Sequence, residues 1–177
     1  LLVVLAPRPA AAEEKRIVVM PFEGDGADAF EEAIIEIVKD AHEYVSGKRF
    51  ARAAKKVKGF EPDAEGIQKV ARKLKAQGLV LGEVDKKKKG RYQLTLRIRE
   101  GATGEFVDED IAITVKGKKL AGKDLKKVRG QLLDAIDALP GLDEDEAVAA
   151  KGEGDGDGDG EGDGEAGDGA SGDGEGE

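Results

Sequence analysis

The stretch "RIVVMPFEGDGADAF", residues 16–30, joins an apolar segment to a glycine-spaced turn and then to a helical pattern. Residues 17–20 are apolar on both faces of an extended chain, which is typical of a central strand covered on two sides. A buried strand that leads into a covering helix predicts an α/β fold. The apolar side chains that follow at helical spacing are Phe30, Ile34, Ile37, Val38, Ala41 and Val45.

Both ends of this first helix carry local signals. Asp28 and Glu31 have the spacing of a capping box at its start. Gly47 offers a residue that tolerates the left-handed conformation in which helices often close. These signals predict a first helix that ends at Gly47.

The rest of the body supplies six further elements and predicts the order β-α-β-α-β-β-β-α. Two β-α crossovers followed by a meander predict a mixed sheet, with parallel strands first and antiparallel strands added by hairpins. The alternating strand is expected to have one face in water. The elements are a weak strand at 49–53, a helix from Pro62 to Gly78, strands at 79–84, 92–98 and 107–115, and a helix at 125–139.

The net charge of −9 combines two opposed regions. Residues 143–177 contain 15 acidic residues and a single lysine, whereas residues 1–142 contain 28 basic and 23 acidic residues. Residues 152–177 consist of Gly, Asp, Glu, Ala and Ser, so no large apolar group offsets the entropy lost on ordering. We therefore expect one folded α/β domain over 13–142 and a disordered Asp/Glu/Gly-rich tail over 143–177.

The first twelve residues, LLVVLAPRPAAA, have the apolar run and small residues of a signal peptide and its cleavage site. We expect 1–12 to be a signal peptide remnant and the protein to be exported, periplasmic or secreted, in a bacterium. The chain has no cysteine, which excludes disulfides, thiolate ligands and an acylated cysteine. We predict no transmembrane segment, because no later stretch approaches the roughly 20 apolar residues that span a bilayer.

The acidic tail offers candidate cation ligands. Its spacing resembles the start of an EF-hand loop, but Gly164 stands where an apolar residue normally packs. Two interpretations stay open: a solvating tail, or loose millimolar divalent-cation binding, for example of calcium, by an unstructured polyacid. No defined metal site and no cofactor is predicted. The weak candidate ligands are Asp155, Asp157, Asp159, Glu161 and Asp163.

Two features could suggest an enzyme. Gly24 and Gly26 fit a dinucleotide fingerprint, but Asp25 places a carboxylate where a pyrophosphate would sit. His42, the only histidine, lies four residues before Ser46 with no orienting carboxylate indicated, so we expect a boundary or surface position. We predict a structural turn, no catalytic residue and no enzyme, with a nucleotide-binding enzyme as the last alternative.

The segment "DKKKKGR", residues 85–91, is predicted to be a hairpin tip. It is either a solvated loop or a docking patch for anionic surfaces, lipid phosphates or the protein's own tail. Nucleic acid is not an expected partner, because no aromatic residues interleave the lysines. The residues of this candidate patch are Lys86, Lys87, Lys88, Lys89 and Arg91.

Three motifs together carry a family resemblance over about residues 15–139. "RIVVMPFEG" at 16–24, "LVLGEV" at 79–84 and "RIREGATGE" at 97–105 resemble the amino-terminal domain of the periplasmic TolB protein and of related curli-assembly and flagellar outer-membrane lipoproteins. The resemblance implies a non-enzymatic cell-envelope module that contacts other proteins. The partner is not identified by the sequence.

Overall fold

The structure, a computed structural model, describes residues 14–142. Within that range the chain folds into a sheet and four α-helices. In chain order the elements are β1 (Arg16–Val19), β2 (Glu23–Gly24), α1 (Ala27–Ala41), β3 (Glu43–Ser46), α2 (Gly47–Lys55), α3 (Ala64–Leu74), β4 (Gly78–Lys87), a 3-10 turn (Lys88–Gly90), β5 (Arg91–Glu100), β6 (Ile111–Lys116) and α4 (Gly122–Asp137).

The strands form one mixed sheet in the order β3-β1-β4-β5-β6, and the short β2 also pairs with β4. β1 runs parallel to both of its neighbours, so that Val18 pairs with Val45 on one side and Leu79 on the other. β4, β5 and β6 then form an antiparallel meander. The predicted α/β fold, with a parallel part followed by antiparallel hairpins, is confirmed.

Alternate residues of β1 point into two separate hydrophobic cores. Ile17 and Val19 lie in the core formed with α1 and α4, whereas Val18 lies in the core formed with α2 and α3. All three side chains are at most 1% exposed. Burial of such side chains stabilises a fold by roughly 1.5–3 kcal/mol each, so β1 anchors both layers.

Helix α1 ends at Ala41, earlier than the sequence predicts. Val45 lies in β3, and Gly47 is the first residue of α2 rather than a left-handed cap. At Gly47 an added Cβ would lie 2.6 Å from the Cδ of Pro21. The apolar period misled the prediction because Val45 continues the helical spacing although it belongs to a strand of only four residues.

The predicted strand at 49–53 is wrong, because these residues belong to α2. Phe50, Ala53 and Ala54 are buried at the helical spacing of i, i+3 and i+4. Ser46 caps the helix, since its side chain accepts a hydrogen bond from the backbone N–H of Arg49 at 3.3 Å. The second strand of the predicted order lies just before this helix, at β3.

The start of α1 also differs from the predicted capping box. Gly26 is the N-cap, with φ of 80°, and no side chain caps it. The Glu31 carboxylate instead accepts a hydrogen bond from the backbone N–H of Phe22 at 2.9 Å. Glu31 therefore fixes the turn before the helix, and Asp28 makes no capping bond.

Gly24 is needed for the close approach of β2 to β4. Its φ is 107°, a region that favours glycine. A Cβ at this position would lie 2.0 Å from the carbonyl oxygen of Val84, its partner in the β2–β4 ladder. The glycine-spaced turn thus serves backbone geometry at this position.

The Lys15 side chain joins the chain before β1 to the end of α4. Its Nζ donates hydrogen bonds to the carbonyl oxygens of Ile136, Asp137 and Leu139 at 3.0, 2.8 and 2.5 Å. A cation is favourable at this end of a helix, where carbonyl groups lack intrahelical partners.

His42 is buried beside this junction, with 5% of its surface exposed, so the expected boundary or surface position is wrong. Its Nδ1 accepts a weak hydrogen bond from the Lys15 backbone N–H at 3.5 Å, and its Nε2 lies 3.6 Å from Asp137 Oδ1. Burial lowers the pKa of His42, and the charge of Lys15 lowers it further. Asp137 and, more weakly, Glu14 oppose this shift.

We predict that Gly24→Ala lowers the free energy of unfolding by more than the roughly 1–3 kcal/mol of backbone strain alone, because the Cβ also collides with a backbone oxygen. Gly117→Ala is the matched control, since Gly117 has φ of 91° but no atom within 4 Å of an added Cβ. Urea unfolding monitored by circular dichroism measures both variants. Equal losses in the two variants would contradict the role of the Val84 contact.

We predict that protonation of His42 destabilises the folded chain. The pKa of His42 is lower in the folded chain than in the unfolded chain, where it is about 6.5. The neutral His42 side chain therefore contributes fully to folding stability above about pH 6.5, and this contribution is lost as the pH falls from there towards the folded pKa. His42→Gln should therefore unfold with a shallower pH dependence between about pH 7 and 5 than the unchanged chain. Urea unfolding at several pH values tests this, and identical slopes in the two proteins would refute it.

Candidate functional site

An apolar groove with a volume of about 780 Å³ lies on the sheet face that carries α2 and α3. Leu79 and Leu81 of β4 form its floor. Phe50 on α2 lines one side, and Val57 and Phe60 of the α2–α3 connection line another. The groove is thus a concave surface that is built mainly from hydrophobic side chains.

The groove exists because the helical layer ends partway across the sheet. Leu79 is 1% exposed, whereas Leu81, two residues further along β4, is only half-buried. Beyond it the same face of β5 carries polar side chains such as Thr95 and Arg97, which pair across the ladder with Glu83 and Leu81. A polar sheet face needs no covering helix, so Leu81 marks the border between the covered and open parts of the sheet.

Arg99 brings a positive charge to the border of the groove. Its guanidinium carbon lies 4.0 Å from the centre of the Phe106 ring, and its Nη1 donates a hydrogen bond to the carbonyl oxygen of Gly104 at 3.1 Å. Its Nε is buried without a hydrogen-bond partner in the described part of the chain. Among residues 14–142 Phe106 is the large apolar side chain that stands exposed, at 42%.

A basic ridge follows α2 and the segment after it. All of its side chains are exposed, and residues 48–58 contain no acidic residue. Arg97 and Arg129 pair with carboxylates at 3.2 and 2.9 Å, whereas no residue of the ridge forms an ion pair within residues 14–142. Its charge is therefore not neutralised locally. The residues of the basic ridge are Lys48, Arg49, Arg52, Lys55, Lys56 and Lys58.

The docking patch predicted at the hairpin tip lies apart from the groove. Lys86 is five residues beyond Leu81 along β4, or about 16 Å at the usual rise of a strand. All five residues of the patch are exposed, but the Nζ of Lys86 lies 3.6 Å from Asp25 and that of Lys87 lies 3.2 Å from Asp85. The patch is partly neutralised, and its docking role stays a prediction.

The glycine-spaced turn is held by its own ion pairs. Asp25 lies 3.3 Å from the Nζ of Lys118 and 3.6 Å from that of Lys86. The hydrogen bond and charge of Lys118 lower the pKa of Asp25, so this carboxylate stays ionised beside the N-terminus of α1. A second carboxylate, Asp28, follows in the first turn of the helix. Two negative charges at this position disfavour a bound pyrophosphate.

The remaining candidate residues are not brought together. Ser46 caps α2, and His42 faces Asp137 beside α4. Within the described range no group of three or more His, Asp or Glu side chains is arranged to hold a metal ion, and no helix is long and apolar enough to cross a membrane. The cation ligands proposed at 155–163 lie outside the described residues, so their role remains a prediction.

The groove and the basic ridge were missed by sequence reasoning because 49–53 was interpreted as a strand. The signal was present: Phe50, Ala54 and Val57 recur at helical spacing, with basic residues between them and Ser46 in front as a cap. This pattern indicates an amphipathic helix with a charged outer face.

No protein-family model and no curated protein matches the chain. Its structure is similar to the LpoB C-terminal domain from Escherichia coli, at 12% identity over 62% of this chain and 87% of that one, with a TM-score of 0.46. The chain is also similar to TolB from Acinetobacter baumannii (10% identity, 78% of this chain, 29% of that one, TM-score 0.44). A third similar structure is the PelC dodecamer from Paraburkholderia phytofirmans (16%, 75%, 94%, TM-score 0.43). A TolB protein, whose amino-terminal domain the sequence motifs resemble, is thus among the similar structures.

Proposed function

We propose that the protein is a non-catalytic module of the bacterial cell envelope that is exported and acts by binding another protein. The observation that carries this proposal is the open apolar groove beside α2. Hydrophobic surface that is left open on a folded domain favours association, because covering it removes apolar area from water. The sequence motifs at 16–24, 79–84 and 97–105 support the same class of function through their resemblance to envelope domains.

The chemistry of the groove favours a protein partner over a small molecule. Small-molecule sites combine an apolar cavity with several polar groups that converge on the ligand. Here the charged groups that line the groove are Lys55 on α2 and Arg99 on β5. Apolar walls with charges at the rim are the usual anatomy of a protein interface.

The position of His42 supports a non-catalytic role. This side chain, the one histidine of the chain, is buried beside α4, whereas the groove lies on the face of α2 and α3. A general base must lie within hydrogen-bond reach of the substrate. His42 therefore cannot serve a ligand held in the groove.

We expect a photocrosslinker in the groove to form a covalent adduct with one partner protein in living cells. p-Benzoylphenylalanine in place of Val57, which is half-buried in the groove, should give a discrete adduct identified by mass spectrometry. The same probe in place of Gly130, exposed on α4, should give none. Adducts at both positions, or at neither, would contradict a binding role for the groove.

Export is tested separately. In cells that express the chain from residue 1, we expect osmotic shock to release a form that begins near Glu13, because the segment 10–12 resembles a signal-peptidase site. Amino-terminal sequencing of the released protein identifies the cleavage position. Recovery of an uncleaved chain with cytoplasmic markers would refute export without affecting the crosslinking result.

A further inference from the structure

We infer that the groove and the basic ridge together bind an acidic segment of a partner protein, which inserts apolar side chains into the groove and places carboxylates along the ridge. This inference rests on the proposed function, since it specifies the chemistry of the protein partner. It depends on two features that lie side by side, one apolar and one charged.

The apolar feature can accept side chains but not a whole folded surface. The groove is concave and bounded by α2, by the α2–α3 connection and by the open part of the sheet. Its volume of about 780 Å³ is that of a binding cleft, which is large enough for apolar side chains of a partner segment. Buried anchors of this kind contribute much of the affinity of protein interfaces.

The charged feature determines that the partner segment carries negative charge. Lys55 belongs both to the basic ridge and to the lining of the groove. Arg99 on β5 also lines the groove, and its Nη1 donates a hydrogen bond to the carbonyl oxygen of Gly104, which is uncharged. A segment lying in the groove therefore meets cations from two different elements, α2 and β5. Carboxylates beside the apolar anchors complement this arrangement, and basic residues there are repelled.

The protein's own acidic tail complements the ridge but not the groove. Residues 152–177 carry many carboxylates, yet their other side chains are those of Gly, Ala and Ser. No group there can fill an apolar groove. Residues 152–177 therefore match the charge of the ridge but cannot fill the groove.

A lipid surface and a second copy of the chain fit less well. The apolar face of α2 is buried within the domain, with Phe50 only 2% exposed, so the helix cannot insert into a bilayer. A flat layer of headgroups also cannot enter a concave groove. A second copy that docked through the same surface would bring its own basic ridge towards this one, and like charges repel.

Three synthetic peptides of equal length test the chemistry. The acidic apolar peptide EDLFELLDE, the basic apolar peptide KRLFKLLRK and the acidic glycine peptide EDGGEGGDE are titrated into the isotopically labelled full-length chain, with amide NMR shifts as the measurement. We expect the acidic apolar peptide to shift the amides of 50–60 and of Leu81 saturably, with an affinity at least about tenfold higher than either other peptide.

Two variants with matched controls locate the site. Ala51→Trp fills the groove from an exposed position, and Ala29→Trp places the same bulk on the exposed face of α1. Lys55→Glu reverses a charge of the ridge, and Lys127→Glu reverses an exposed charge on α4. We expect each groove or ridge variant to weaken binding of the acidic apolar peptide by about tenfold and each control to leave it unchanged. Urea unfolding of every variant checks that the fold is kept.

Each other outcome contradicts the inference in a different way. If the acidic glycine peptide binds as tightly as EDLFELLDE, the protein recognises charge alone. If the basic peptide binds as tightly as EDLFELLDE, the protein recognises apolar area alone. Binding of anionic phosphatidylglycerol vesicles without binding of any peptide would indicate a lipid partner, and concentration-dependent dimerisation through the groove would indicate a second copy. If the Val57 crosslink forms while EDLFELLDE does not bind, the protein-binding function stands and the acidic chemistry is refuted.

Discussion

The two-sided burial of β1 is the constraint on which the rest of the structure depends. Ile17 and Val19 require one hydrophobic layer and Val18 requires another, so helices must pack on both faces of the parallel strands. β5 has one apolar face, with alternate residues such as Leu94 and Leu96 fully buried. It therefore needs a single layer. The sheet thus changes from strands that are apolar on both faces to strands that are apolar on one face. The α2–α3 layer therefore ends at β4, and the groove stays open.

Elements with a strong period could be predicted from the sequence, and short ones could not. Two kinds of pattern made prediction possible. The residues of β1 are apolar on both faces of the strand. The helix at 64–74 and the alternating strand at 91–100 keep their periodic spacing over more than one helical turn. β3 has four residues, and its Val45 happens to continue the spacing of α1, so the boundary was placed wrongly. A local cap at Ser46 was the evidence that α1 had ended and another helix had begun.

The candidate site could not be predicted for a different physical reason. A groove forms where one layer of helices stops, and this position depends on which strands become neighbours. Leu81 and Arg99 are eighteen residues apart in sequence, and the β4–β5 ladder places them close together. The α2–α3 connection adds its side chains to the same groove. The hairpin lysines are conspicuous in the sequence, but Asp25 and Asp85 offset part of their charge. The basic ridge is less conspicuous in the sequence, and its side chains form no ion pair with the part of the chain that the structure describes.

The Lys15 contact has a consequence for how this domain can be joined to other chains. Because Lys15 bonds the carbonyl oxygen of Leu139, the points at which the polypeptide enters and leaves the fold are adjacent. A domain with adjacent entry and exit points can be inserted into a loop of another protein without separating the two ends of that loop. For the same reason the two ends of the described fold, near Lys15 and Leu139, can be linked and the chain reopened at the exposed turn Lys88–Gly90, which gives a circular permutant with the groove intact.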